Sequence, residues 1–373
     1  MSLLTETIAA IRPADAEALA AAQAHQAQLT KPAGSMGLLE PTGERVAAMV
    51  GEFPPPVPDP VALAVFAGDH GVQTHGVSRW PQEVSAQMAL NIASGGAVVN
   101  AMCRQVGADV VVVDVGLVPE LPDVPGLLRR KIASGTGDMT VGPAMTEAQV
   151  HAALEVGIGV ARDLVARGTR LLLVGEVGIG NTTPAAALVS VFTGQAPAWV
   201  TGYGAGLDDA GKAAKIDVIE TAITVNRASA ADPIAALAAV GGLEHAAMVG
   251  YLLGAAALRT PVVLDGVIAC AAAVVATALA PDTVDYLIAG HSGMEPGIRA
   301  ALAQLGLRPL IDLDLRLGEG SGAALAVPVV QASVRMLREV ATFASAGVSE
   351  SPDGGTIEGG PGARPEAGQE QQR

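Results

Sequence analysis

Short apolar runs, unbroken by polar alternation, recur along this chain, and six of them stop at glycine beside an acid, a histidine or a hydroxyl residue. The runs are Val61 to Phe66, Val110 to Val113, Leu171 to Val174, Val262 to Leu264, Tyr286 to Ala289 and Leu310 to Leu317. They end, in turn, at Gly68-Asp69-His70-Gly71, Asp114-Val115-Gly116, Gly175-Glu176-Val177-Gly178-Ile179-Gly180-Asn181-Thr182-Thr183, Asp265-Gly266, Gly290-His291-Ser292-Gly293 and Gly318-Glu319-Gly320-Ser321-Gly322. Continuous Val, Leu and Ile suit strands covered on both faces, and the Ala-rich stretches between them are long enough for crossover helices. The pattern predicts an α/β fold with a parallel sheet. Ligands of such sheets gather beyond the carboxyl ends of the strands, where glycine admits backbone N–H groups close to a bound anion.

Helices are expected within 83–104, 147–167, 208–227, 233–258, 266–280, 295–305 and 321–345, with one or two more in the Ala-rich stretch over 5–30. Lys31-Pro32-Ala33-Gly34-Ser35-Met36-Gly37 then forces a loop, and Pro54-Pro55-Pro56-Val57-Pro58 marks a boundary before the first strand. From about Ser349 the chain is Gly, Pro, Glu and Gln with little to bury, which predicts a disordered tail. No internal repeat is visible.

Composition narrows the class. Half the residues are apolar but only 2% are aromatic, so Ala, Val, Leu and Gly must fill a large core. The longest uncharged stretches are broken by proline, glycine and Gln195 or fall short of the roughly 20 apolar residues of a spanning helix, and the N-terminal segment does not read as a secretory signal. The expectation is a soluble, cytoplasmic protein. A net charge of -15 disfavours a nucleic acid, whose phosphates demand Lys and Arg, and leaves room for a small anion. Cys103 and Cys270, far apart in apolar stretches, read as buried reduced thiols.

Candidate chemistry concentrates at the strand ends. Gly178 to Thr183, followed by Pro184 and an Ala-rich run, either seats a phosphate at a helix start or simply makes a tight turn. It is neither a dinucleotide fingerprint nor a Walker A loop. Glu319, between two glycines at a strand end, reads either as a proton acceptor in an apolar setting or as an acid complementing a helix dipole. Glu176 occupies the equivalent place after another strand, and two such glutamates facing one crevice favour the functional reading of both. His70, His75 and His291 lack metal-ligand spacing, so turn bonding is the preferred role. Ser292 and Ser321 lack a nucleophile elbow. Lys212 and Lys215 default to a solvated helix face, and Gln87 and Met88 to helix packing.

Taken together, Lys31 to Gly37, Gly68-Asp69-His70-Gly71-Val72, Gly175 to Thr183, Gly241-Gly242-Leu243-Glu244, Gly290 to Gly293 and Gly318 to Gly322 resemble the nicotinate-nucleotide:dimethylbenzimidazole phosphoribosyltransferase family over roughly residues 5–345. The resemblance implies a Rossmann-like sheet of about six strands flanked by helices, a small helical domain from N- and C-terminal segments, a homodimer, and no metal or cofactor. The implied domains are 1–58 and 321–347 for the small one and 59–320 for the catalytic one, with a tail over 348–373. Implied activity is transfer of phosphoribose from nicotinate mononucleotide to 5,6-dimethylbenzimidazole. By motif, Glu319 matches the catalytic base, Glu176 a second active-site acid, Leu317 part of the base-binding wall and Gln87 a glutamine touching the benzimidazole. Gly178, Gly180, Asn181, Thr182, Lys215 and Ser292 match positions around the nucleotide and its phosphate, and Met88, Asp265, Gly290, His291 and Gly293 complete the implied substrate-binding set. The chain departs at Ala33 and Leu38, where proline and arginine are expected, and at His245, where an aliphatic residue is usual.

Overall fold

The computed structural model describes residues 2–349 of the chain. Eight strands form: β1 (Val61–Gly68), β2 (Ala108–Gly116), β3 (Leu127–Arg129), β4 (Leu171–Val177), β5 (Val262–Leu264), β6 (Leu287–Ala289), β7 (His291–Gly293) and β8 (Ile311–Leu315). The first six make one parallel sheet in the order β3-β2-β1-β4-β5-β6, and β7 and β8 pair in a second, two-stranded one. β1 and β4 are buried along their whole length, as continuous apolar strands under helices on both faces must be. The strand order reverses between β1 and β4, which opens a crevice beyond their carboxyl ends.

Five of the six apolar runs lie in the main sheet. The sixth, Leu310 to Leu317, does not: β8 pairs with β7, and the short Leu127–Arg129 segment supplies the remaining strand beside β2. Polar content explains the difference: Asp312, Leu313 and Asp314 are all exposed, which fits β8 to a sheet margin rather than a covered interior. The expected helices form, with breaks at Ser94 to Ala97, at Gly241-Gly242 and at Val340 to Thr342. The stretch 233–258 divides into Pro233–Val240 and Leu243–Ala257 at Gly241-Gly242. Scarcity of aromatics has a direct packing consequence: Gly157 and Gly250 let the helices Glu147–Ala166 and Leu243–Ala257 meet backbone to backbone, with Gly157 against Ala247 and Gly250 against Leu154.

The described residues group into two compact units, 2–14 with Pro58–Val329, and Asp15–Val57 with 330–349. The expected limits at 58/59 and 320/321 therefore move. The helix Leu3–Ala10 belongs to the larger unit because Leu4 and Thr7 bury there, with Arg162 donating to the Thr7 hydroxyl at 3.2 Å. The first half of the helix Ser321–Glu339 stays with it too, since Ala323, Ala324, Ala326 and Val327 are fully buried. In the smaller unit Ala22, Ala47 and Leu337 form a core covered by Phe53. The tail expected from residue 348 lies, from residue 350 onward, outside the described residues. No helix among the described residues is long and apolar enough to cross a membrane.

Candidate active site

A cavity of about 370 Å³ opens in the larger unit where β4 and β8 end. On one wall Glu176 and Val177 close β4, and the turn Gly178 to Asn181 leads into the helix Thr182–Thr193. That turn is anchored from outside: the Ile179 N–H donates to Ser85 Oγ at 2.9 Å. At the helix start the Asn181 and Thr183 N–H groups close onto the Gly178 and Gly180 carbonyls at 3.1 and 3.0 Å and Pro184 has none, which leaves the N–H groups of Gly180 and Thr182 as the donors uncommitted within the turn. Behind it Lys215 Nζ donates to Thr182 Oγ1 at 2.6 Å, and burial pushes its ammonium down to about 8 while Glu295 opposes the shift. Lys215 is thus enclosed, not on a solvated face, because the helix Asp209–Asn226 turns that side inward.

The opposite wall carries Leu315, Arg316, Leu317, Gly318 and Glu319. Glu319 takes φ 64° between Gly318 and Gly320, each at φ 89°. A left-handed glutamate costs on the order of 1–3 kcal/mol and persists only when its surroundings impose it. Asp265, just beyond β5, does the imposing. Its Oδ2 accepts the Gly320 N–H at 3.0 Å and its Oδ1 those of Gly322 and Ala323 at 2.7 and 3.1 Å, capping the helix Ser321–Glu339 and fixing the turn. The turn then sits directly on β4: a Cβ at Gly175 would lie 2.5 Å from the Glu319 carbonyl carbon, and one at Gly318 would lie 2.5 Å from Glu176 Oε1.

The two glutamates differ in their partners. Asn181 Nδ2 donates to Glu176 Oε2, whereas Glu319 Oε2 is buried with no hydrogen-bond partner. Burial, then the Asp265 charge, raises the Glu319 carboxyl to about 7. Burial, then Asp265, Glu244 and Glu319, raises Glu176 to about 8, with Asn181 pulling the other way. At neutral pH Glu176 keeps its proton and Glu319 is poised to take one. Val77, Val84, Met88, Ile268 and Leu317 give the rest of the cavity an apolar lining.

Of the residues expected from the sequence, Glu319, Glu176, Met88, Gly178, Gly180, Asn181, Thr182, His291, Gly293 and Leu317 line the cavity. Five do not. Gln87 is exposed: Val84 and Met88 face the cavity from the helix Glu83–Ala93, and Gln87 is turned about 100° from Met88. Ser292 lies between His291 and Gly293 on β7, so strand alternation turns it to the other face. Gly290 is a packing position, where a Cβ would meet the Leu264 carbonyl at 2.6 Å. Asp265 spends both oxygens on backbone amides, and Lys215 reaches the site through Thr182. Sequence reasoning passed over Ser78, Trp80, Glu295 and Arg316, the last being the one cation on the lining among the described residues. Arg316 was hidden inside a run read as buried strand.

The tip of β1 turns away from the cavity. His70 Nε2 and His245 Nδ1 each lie 2.8 Å from Glu244 Oε1, all three enclosed, while Asp69 accepts the Val118 N–H at 2.8 Å. His75 pairs with Asp138 at 2.8 Å, and His291 lies 3.4 Å from Asp265. His70 and His245 thus share Glu244, His75 and His291 have acids of their own, and no group of three His, Cys, Asp or Glu among the described residues is arranged around a common metal position.

A family model described as phosphoribosyltransferase matches residues 11–348. The chain belongs to this phosphoribosyltransferase family. A Salinispora tropica relative named nicotinate-nucleotide--dimethylbenzimidazole phosphoribosyltransferase is 53% identical over 93% of this chain and all of its own length. A Chloroflexus aggregans relative of the same name is 50% identical over 95% of this chain and all of its own. The crystal structure of CobT from Thermus thermophilus superposes with a TM-score of 0.87 at 44% identity, covering 90% of this chain and 100% of that one.

Proposed function

We propose that this chain transfers phosphoribose from nicotinate mononucleotide to 5,6-dimethylbenzimidazole with inversion, giving α-ribazole 5′-phosphate and nicotinate for the lower ligand of cobalamin. The observation that carries the reading is Glu319: a buried, unpaired carboxylate oxygen held on a left-handed turn at the wall of an apolar cavity, across from a helix start.

The chemistry sets three tasks. The donor's glycosidic nitrogen is cationic, so nicotinate leaves as a neutral pyridine and needs no general acid. What remains is to hold the phosphate, align the azole behind the anomeric carbon, and remove a proton. The Gly180 and Thr182 amides, with Lys215 behind Thr182, suit the first task. The slot lined by Met88, Ile268 and Leu317 suits the second and keeps water from the oxocarbenium-like carbon. As the azole nitrogen bonds to C1′, the C1′–pyridinium bond breaks, its electron pair returns to the pyridine nitrogen, and the N–H proton of the azole passes to Glu319. Glu176, protonated and tied to Asn181, borders Glu319 without competing for that proton.

The family resemblance supports a homodimer acting in the cytoplasm, and sedimentation of the purified chain tests the assembly. Incubating the protein with nicotinate mononucleotide and a panel of benzimidazoles and purines, with products identified by mass, tests the reaction. Formation of an α-ribotide with release of one nicotinate per turnover is the expected result. Binding of the nucleotide without nicotinate release from any base would reduce the chain to a nucleotide-binding scaffold.

A further inference from the structure

Three glutamates line the cavity, and the transfer reaction as derived uses two. The third is Glu295, half-buried, which follows β7. Its Oε1 accepts the Gly204 N–H at 2.7 Å, whereas its Oε2 has no donor among the described residues. Gly202 packs flat on the same carboxylate, with Oε2 the nearest atom to a Cβ placed there and Oε1 at 2.5 Å, but it gives Oε2 no hydrogen bond. Gly204 is in turn the neighbour of the anion-binding wall. A Cβ there would lie 3.0 Å from Thr182 Oγ1 and 3.3 Å from Lys215 Nζ. The carboxylate is therefore pinned by one oxygen beside the groups that would hold a 5′-phosphate, on a residue that lines the cavity and whose other oxygen has no donor among the described residues.

A second anion beside a phosphate seat repels the phosphate unless something carrying donors lies between them. In a ribose 5-phosphate the donors nearest the phosphate are the sugar hydroxyls, and an ionised carboxylate is the strongest neutral-pH acceptor for them. The other two carboxylates are less suited: Glu176 accepts from Asn181 and rests on Gly318, and Glu319 is committed to the acceptor base. We propose that Glu295 reads the ribose of the donor, its free oxygen accepting a hydrogen bond from the 2′- or 3′-hydroxyl, so that the site selects a ribotide over a deoxyribotide. This assignment rests on the transferase reading and names the sugar-specificity residue within it.

Glu295→Gln tests it, because an amide oxygen still accepts the Gly204 N–H while the other terminus becomes a donor. The measurement is kcat/KM for nicotinate mononucleotide and for its 2′-deoxy and 3′-deoxy analogues, in wild type and variant. Comparing each donor across the two proteins cancels the greater intrinsic lability of the deoxy glycoside. The expected loss is about 10- to 100-fold on the ribotide and under about 3-fold on at least one deoxy analogue. An equal loss on all three donors would mean that Glu295 acts through the Gly202–Gly204 loop or Lys215, and no loss on any would mean that it touches nothing that matters; either overturns the proposal. Absence of nicotinate release by the wild type with every donor would instead defeat the transferase reading itself. Should Glu295→Gln fold poorly, Glu295→Asp with the same three donors makes the same comparison, since a shortened carboxylate keeps its charge and loses its reach.

Discussion

Glu176, near the end of β4, and Glu244, in the first turn of the helix Leu243–Ala257 beside the end of β1, are both buried carboxyls, and they ionise in opposite ways. Glu176 faces Asp265, Glu244 and Glu319 and has a single neutral donor, Asn181, so burial and like charge raise it to about 8. For Glu244 burial pushes upward too, but His70 and His245 against the same oxygen hold its carboxyl far below the ordinary range. Burial alone therefore does not decide ionisation; the charge of the nearest partner does. The contrast separates a carboxyl that keeps its proton in the cavity from one that stays ionised behind it.

The strongest way to break this contrast is at the cavity. Glu319→Gln should fold normally and lose about 10²–10⁴-fold in kcat, the usual deficit for a missing general base; near-wild-type turnover would remove Glu319 from the role. Next comes Glu244→Leu, which leaves two buried imidazoles without their acceptor and should cost about 3–5 kcal/mol of unfolding free energy in a denaturant titration. Glu176→Gln should act in the opposite sense. Its carboxyl, raised from 4.5 to about 8, contributes stability that is complete below pH 4.5 and lost progressively by the time the pH has passed 8, so the variant should show a flatter fall in Tm between pH 4.5 and 8. An unchanged slope would mean that Glu176 ionises freely in the folded chain.

Smaller effects sharpen the picture. Asp265→Asn removes the charge that helps hold Glu319 at about 7, so the acid limb of kcat/KM, where Glu319 becomes protonated, should move to lower pH. The same change weakens the cap over Gly320 to Ala323 by about 1–3 kcal/mol, read as a lower Tm; a limb that stays in place would place the Asp265 charge too far away to matter. Gln87→Ala should change kcat/KM by less than about 2-fold, as for an exposed side chain remote from the cavity. A loss of 10-fold or more would show that Gln87 reaches the acceptor base in a conformation other than this one.

Much of the site was legible because strand ends have a signature. Glu176, Gly178, Asn181, Gly293 and Glu319 follow apolar runs, and in a parallel sheet all such ends point the same way. Roles were harder to read than positions. Asp265 looks like a ligand-binding acid in sequence, yet its oxygens are saturated by amides 55 to 58 residues away, a partnership no local pattern encodes. Lys215 has the neighbours of a solvated lysine and the burial of a core residue. Arg316 sits between Leu315 and Leu317 just past β8, and all three line the cavity, so no alternation along the chain singles it out.

The sequence by itself determined the parallel sheet, the carboxyl-end location of the site and the family, because period, punctuation and motif order are local properties of the chain. The tertiary structure alone decided which tips converge: β4 and β8 meet over Gly175 and Gly318, while the tip of β1 folds back onto Glu244. It also decided which buried acid keeps its proton. That choice depends on a few ångströms between residues tens to hundreds of positions apart, a distance that packing sets and spacing along the chain does not.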